Sequence, residues 1–189
     1  HLPEKRRLGS IPKAGGQRIV VYGDGGGGKT SLACDAPGPV GVIDLDRSLP
    51  LLAPRLKAKG LQVLGDVENW GDLLTAVRDL PLWEGVATVV LDTATAAQSM
   101  ALAHVLRTKK TEKGQPASDI EAYGYGKGYR HLYDEVLLLL AALESHSRAG
   151  RNVVLICHDC TTNVPNPAGE DWLRYEPRLQ SPTSGKASI

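Results

Sequence analysis

One octapeptide leaves this chain few folds to choose from: Gly23-Asp24-Gly25-Gly26-Gly27-Gly28-Lys29-Thr30 matches G-x-x-x-x-G-K-[ST] at every position. The pattern has a physical meaning between a strand and a helix, where glycines let backbone N–H groups turn inward around an anion and the helix N-terminus adds positive partial charge. Both neighbours are present. Arg18-Ile19-Val20-Val21-Tyr22 reads as a short buried strand, apolar and β-branched, and Ser31-Leu32-Ala33 opens a helix. In that setting the octapeptide together with Ser31 makes a cradle for nucleotide phosphates, Lys29 reaches the β and γ phosphates as a catalytic cation, and Thr30 ligates Mg²⁺. ATP and Mg²⁺ are the expected ligands.

Four more strands are expected: Val40 to Leu45 after the Pro37-Gly38-Pro39 break, Leu61 to Val67, Val86 to Leu91 running into Asp92, and Asn152 to Cys157. Between them lie helical patterns. Asn69 can cap a helix to Leu80 whose Trp70, Leu73, Leu74 and Val77 share one face. The clearest helix spans Gly128 to Ala149, with Leu132, Val136, Leu139, Leu140 and Leu143 at helical spacing and Gly150 placed to end it. Continuous apolar strands separated by helices are the pattern of a mainly parallel β-sheet sandwiched by helices, so the expected class is α/β.

A length of 189 residues fits one domain. Residues 1–17 are polar and basic, with Lys5, Arg6, Arg7 and Lys13, and read as an N-terminal arm or linker; residues 18–189 are the expected core. The chain starts at His1, and a strand-like pattern begins at Lys186 only to stop at Ile189, so a longer natural chain with further C-terminal strands is expected.

A formal net charge of +1 excludes a global positive field, and any nucleic-acid contact must rest on local basic patches. No apolar run approaches the roughly 18 residues of a membrane span, and no signal peptide opens the chain, so a soluble, cytoplasmic protein with no membrane partner is expected. An odd count of 3 cysteines without framework spacing argues against a secreted disulfide scaffold.

Carboxylates at strand ends complete a phosphate site. Asp92 follows Val89-Val90-Leu91 and can hold Mg²⁺, or else cap the helix starting at Thr93. Val42-Ile43-Asp44-Leu45-Asp46 offers two candidates for a general base that deprotonates water; Asp46 is favoured and Asp44 can equally be a structural cap. Val154-Leu155-Ile156-Cys157-His158-Asp159 ends the fifth strand, where His158 can sense the γ phosphate or else be a hydrogen-bonded histidine at a strand end. Cys157 and Cys160 form a C-x-x-C, but no second pair supplies the four ligands of a zinc site.

These residues resemble those of the RecA-like P-loop ATPases, most closely the short phage-encoded RecA-core proteins that act as ATP-dependent single-strand annealing recombinases. The resemblance runs from Arg18 to Ile189. In that family the strand after the phosphate loop carries a catalytic Glu in an Ile-Asp-x-Glu context; Ile43-Asp44-Leu45-Asp46 puts an Asp there, one methylene shorter. Val90-Leu91-Asp92-Thr93 is similar to the family's hydrophobic-Asp-Ser segment, and Ile156-Cys157-His158 puts His where the family's γ-phosphate sensor has Gln. The resemblance implies an ATPase of a phage protein in its bacterial host, a ring or filament of identical subunits, the N-terminal arm docking on a neighbour, and a single-strand-binding protein as a partner.

It also implies two loops that hold single-stranded DNA. The first carries Arg107, Lys109, Lys110 and Lys113, then Tyr123, Tyr125, Lys127, Tyr129 and Arg130 among glycines; cations neutralise phosphates and tyrosines can stack bases. The alternative for those tyrosines is an aromatic helix start packed on the core. The second is expected as a long structureless stretch, Thr161 to Ser184, with Trp172, Arg174, Tyr175 and Arg178; Trp172 and Tyr175 are base platforms or core anchors. A small-molecule kinase and a nucleotide-binding scaffolding protein with little hydrolysis are the competing functions.

Overall fold

The computed structural model describes residues 15–56 and 60–180. Most of the expected N-terminal arm, through residue 14, and the strand-like stretch from Lys186 to Ile189 lie outside the described residues. Strand β1 (Arg18–Gly23) runs through the phosphate loop into α1 (Lys29–Cys34); then come β2 (Val40–Asp44), α2 (Leu49–Leu56), β3 (Gln62–Leu64), α3 (Trp70–Arg78), β4 (Thr88–Asp92), α4 (Ala94–Thr108), α5 (Lys127–Arg148), β5 (Asn152–Val164) and β6 (Trp172–Pro177). The sheet order is β1-β5-β4-β2-β3, all parallel, with β6 antiparallel on the far half of β5. The expected α/β architecture, a mainly parallel sheet between helices, is what the chain adopts.

The central strands β2, β4 and the first half of β5 lose in/out polarity because both of their faces meet helices. Ile43, Val89, Leu91 and Val153 pack with Trp70, Leu73 and Val77 of α3 and Leu132, Leu139 and Leu143 of α5. Their neighbours Val42, Val90, Val154 and Ile156 point the other way, against Ala33 and Cys34 of α1 and Leu49 of α2. Burying a Leu such as Leu73 or Leu132 fully is worth about 1.5–3 kcal/mol, so these alternating contacts fix the strand register. Helix α3 begins with the capping box its sequence announces: Asn69 Oδ1 accepts from the Gly71 and Asp72 N–H groups at 2.9 and 3.2 Å, and Asp72 Oδ2 accepts from the Asn69 N–H at 3.1 Å. No helix among the described residues is long and apolar enough to cross a membrane.

Four expectations need correction. Strand β1 is not buried: it lies at the end of the sheet path, and Ile19, Val20 and Tyr22 are 47%, 54% and 45% exposed. The third strand is only Gln62–Leu64, paired on one side to β2 at the end of the sheet path. The stretch expected to be structureless from Thr161 is a β-hairpin: β5 continues to Val164 and pairs with β6 from Asp159↔Pro177 to Val164↔Trp172. Strand formers on both arms, Thr161-Thr162 and Trp172-Leu173-Arg174-Tyr175, meet around a turn at Asn166–Gly169, where the Gly169 N–H donates to the Asn166 carbonyl at 3.2 Å. Finally, the region after Asp92 is helical as far as Thr108, so Arg107 sits in the last turn of α4, and the true loop starts at Lys109.

Candidate nucleotide-binding site

Parallel strands bring their C-terminal ends to one edge, and four of those ends carry the expected groups. The register places Gly23 beside His158, Ile156 beside Asp92, and Asp92 beside Asp44. Strand β5 therefore lies between the phosphate-loop strand and the Asp92 strand, which are not direct neighbours. Thr30, in the first turn of α1, spans that gap: its Oγ1 donates to Asp92 Oδ2 at 2.6 Å. A pocket of about 350 Å³ opens here, lined by the loop from Gly25 through Ser31 and by Asp46, Asp92 and His158. That volume lies within the ordinary range of small-molecule sites.

The loop has the backbone such a cradle needs. Gly26 and Gly28 hold φ of 76° and 83°, left-handed values that side chains disfavour. The Lys29 ammonium lies inside the loop, donating to the Gly23 and Asp24 carbonyls at 2.7 and 2.6 Å.

Asp92 is buried, and burial is the main cause that pushes its carboxyl above the usual range; the Asp46 and Asp44 charges add to this, while hydrogen bonds from Thr30 and Ser48 oppose it. A carboxylate crowded by two others and served by hydroxyls is a set of hard oxygen donors, which fits Mg²⁺. Thr30 and Asp92 are the residues that would hold it; the ion would neutralise phosphate charge.

The two candidate bases separate. Asp44 is the structural cap: Oδ1 and Oδ2 accept from the N–H groups of Ser48 and Leu49, each at 2.9 Å, at the start of α2. Asp46 faces the pocket, with Oδ2 2.9 Å from His158 Nε2 and Oδ1 accepting from Thr93 Oγ1 at 3.3 Å. The structure thus brings Lys29, Thr30, Asp46, Asp92 and His158 to one place. Sequence reasoning missed Ser48 and Thr95, and it named Thr93 without giving it a contact to Asp46. Thr95 Oγ1 accepts from the His158 N–H at 3.1 Å and donates to the Arg178 carbonyl at 3.2 Å, tying the strand end to the hairpin base. Isolated hydroxyl residues, Thr95 in the first turn of α4 and Ser48 and Thr93 just before helices, give no spacing signal that would have singled them out.

The expected DNA residues fall into two groups. Tyr123 and Tyr129 are 4% and 8% exposed: Tyr123 donates to the Val105 and Lys109 carbonyls, and Tyr129 donates to Glu121 at 2.7 Å. Both rings belong to the fold and cannot stack bases, so here the core-packing alternative is the right one. Gly128, within the same segment, is required by packing, since a Cβ there would lie 2.0 Å from the Ile120 carbonyl oxygen. Lys109 pairs with Glu135 at 3.9 Å and Lys127 with Glu112. Arg107, Lys110, Lys113 and Arg130 are exposed, and Tyr125 is fully so, at 99%, with φ of 48° between two left-handed glycines. On the hairpin Trp172, Arg174 and Tyr175 are exposed, Arg174 pairing with Glu176, so neither aromatic is a core anchor.

Cys157 and Cys160, three apart on one strand, face opposite ways. Burial pushes the Cys157 thiol up to about 11, which keeps it protonated and a poor metal ligand.

The family described as AAA domain matches the chain over residues 15–187. No curated protein matches it.

Proposed function

The chain belongs to the AAA domain family, whose core is that of a P-loop NTPase, and from that premise we propose a Mg²⁺-dependent ATPase that binds single-stranded DNA and couples ATP turnover to annealing or recombination. The observation that carries the ATPase half is the convergence of Thr30, Asp92, Asp46 and His158 on one pocket. In the proposed site the loop and Lys29 hold the triphosphate, Thr30 and Asp92 hold Mg²⁺, Asp46 takes the proton of the attacking water, and His158 responds to the γ phosphate.

The DNA half draws support from continuity. His158 lies on the strand that runs unbroken into the hairpin bearing Trp172, Arg174 and Tyr175, so a nucleotide-dependent shift at His158 has a rigid path to an exposed aromatic and basic surface. Arg107, Lys110, Lys113 and Tyr125 would make a second contact. In this reading subunits assemble into a ring or filament, residues 1–17 dock on a neighbour, and a single-strand-binding protein is a partner. A nucleotide-binding scaffold is the second reading, favoured by the engagement of both Asp46 oxygens.

Steady-state ATP hydrolysis with and without single-stranded DNA tests this, with double-stranded DNA and the Lys29→Ala variant as controls. Turnover that rises with single strands and vanishes in Lys29→Ala is the expected result. ATP bound without turnover under any condition selects the scaffold, and phosphate transfer to a small acceptor selects a kinase.

A further inference from the structure

Asp92 is held from more sides than a strand-end carboxylate requires. Its backbone carbonyl accepts from the Leu45 and Asp46 N–H groups at 2.6 and 3.3 Å, and its Oδ2 accepts a hydroxyl from Thr30 at 2.6 Å and a second from Ser48 at 3.2 Å. The second hydroxyl arrives by a specific turn of the chain. After β2 the backbone bends at Arg47, which holds a left-handed φ of 54°, and Asp44 then fixes the Ser48 N–H at 2.9 Å. A non-glycine residue in that conformation costs free energy that the surrounding hydrogen bonds must offset. The product of the turn is a short hydroxyl arm, half-buried and lining the same pocket as Thr30 and Asp92.

Mg²⁺ dehydrates reluctantly and keeps several waters, each of which needs an acceptor. A serine hydroxyl can donate to a carboxylate and accept from a water at the same time; a methyl group can do neither. We propose that Ser48 is a positioning residue of the metal site: its hydroxyl orients Asp92 and accepts a hydrogen bond from a water carried by the Mg²⁺ of the nucleotide complex. This rests on the nucleotide reading given above and assigns a role to a residue that no sequence pattern marks.

The test is the Mg²⁺ dependence of binding of a fluorescent ADP analogue, read by titration of Mg²⁺ and compared with binding in EDTA. Partners that orient metal ligands typically contribute about 10–100-fold to metal affinity. Ser48→Ala is expected to raise the Mg²⁺ midpoint by at least about tenfold while leaving ADP binding in EDTA at the wild-type level, and Ser48→Thr, which keeps the hydroxyl, is expected to restore most of the shift. Should Ser48→Ala fail to fold, Ser48→Cys keeps the volume, weakens the hydrogen bond and carries the same expectation. An unchanged midpoint overturns the proposal. So does an equal loss with and without Mg²⁺, because the side chain would then support the pocket and not the metal. A wild-type protein whose ADP binding ignores Mg²⁺ overturns the metal-site proposal, and one that binds no ADP with Mg²⁺ or in EDTA overturns the nucleotide reading itself; both are visible without any variant.

Discussion

His158 Nε2 and Asp46 Oδ2 stand 2.9 Å apart although 112 residues separate them in the chain. The contact links the point on β5 where parallel pairing gives way to the hairpin with the favoured base, whose other oxygen accepts from Thr93. A carboxylate held in this way is oriented and still has lone pairs for a water proton. Asp46→Asn keeps the hydrogen-bonding shape and removes the basicity. The expected outcome is unchanged nucleotide affinity with turnover reduced about 10²–10⁴-fold, measured by phosphate release. Undiminished turnover would transfer the role to another group, Asp44 being the nearest carboxylate in sequence.

Asp92 sets function against stability. Because burial raises its pKa above the ordinary 3.8, the folded state binds its proton more readily than the unfolded state does. Stability from this group is greatest at low pH and declines as pH rises from about 3.8 through the raised folded value. At neutral pH the ionised side chain is a net cost to the nucleotide-free fold. Asp92→Asn is therefore expected to raise the melting temperature without ligand, by roughly 2–4 °C for each kcal/mol recovered, and to lack the further stabilisation by Mg²⁺ with ADP that the proposed site predicts for the wild type. Thermal melting of both proteins in the two conditions checks it. A lower melting temperature for the variant would show that the ionised carboxylate strengthens the fold.

What could be read ahead of the structure depended on how far apart the interacting residues lie. The phosphate loop is contiguous, and its strand-loop-helix setting is written in neighbouring residues, so Gly23 to Ser31 needed no tertiary information. Asp92 was legible because a carboxylate ending an apolar run is a local pattern. The Asp46–His158 contact was not, since it depends on β5 inserting between β1 and β4, and no short-range pattern sets strand order. The hairpin escaped for another reason: its strands are exposed on both faces beyond Cys160, so no alternation of apolar and polar residues marks them. Tyr123 and Tyr129 were ambiguous in principle, because a ring that packs and a ring that stacks bases look alike in a sequence. Ser48 had no signal at all.

His146 gives the fold a pH dependence of opposite sign to that of Asp92. The ring is fully buried, edge-on to Trp83 with centroids 5.5 Å apart, and Nε2 lies 2.7 Å from the Val77 carbonyl oxygen. Its Nδ1 has no hydrogen-bond partner among the described residues. Burial lowers its pKa below 6.5 and the Arg151 charge adds to that, against the opposing bond to Val77. Below pH 6.5 the unfolded chain takes up a proton that the folded chain resists, so stability falls as pH drops from about 6.5 toward the lowered folded value. His146→Gln can keep the bond to the Val77 carbonyl and cannot titrate. Melting temperatures between about pH 7.5 and 5 should fall less steeply for the variant than for the wild type, and parallel curves would remove His146 from the account.

The hairpin is where the single-strand reading can fail most directly. Isolated two-stranded ribbons are marginal in water, and among the described residues this one is hydrogen-bonded to the rest of the fold at its base, where the Arg178 N–H donates to the His158 carbonyl at 2.7 Å and Thr95 bridges the same two residues. Its outer half shows water a tryptophan that is 65% exposed, next to Arg174 and Tyr175. An exposed side chain contributes little to folding, so Trp172→Ala should melt within about 2 °C of the wild type. Stacking of a base on an aromatic ring is worth about 1–3 kcal/mol, so the same variant should bind single-stranded DNA roughly 5- to 150-fold more weakly in the presence of ATP. Fluorescence anisotropy of a labelled oligonucleotide at fixed salt measures it. Equal affinity would take the hairpin out of the DNA contact and leave Tyr125 and the exposed lysines Lys110 and Lys113 as the remaining candidate surface, whereas the expected loss, with the fold intact, would place the exposed ribbon in the DNA contact.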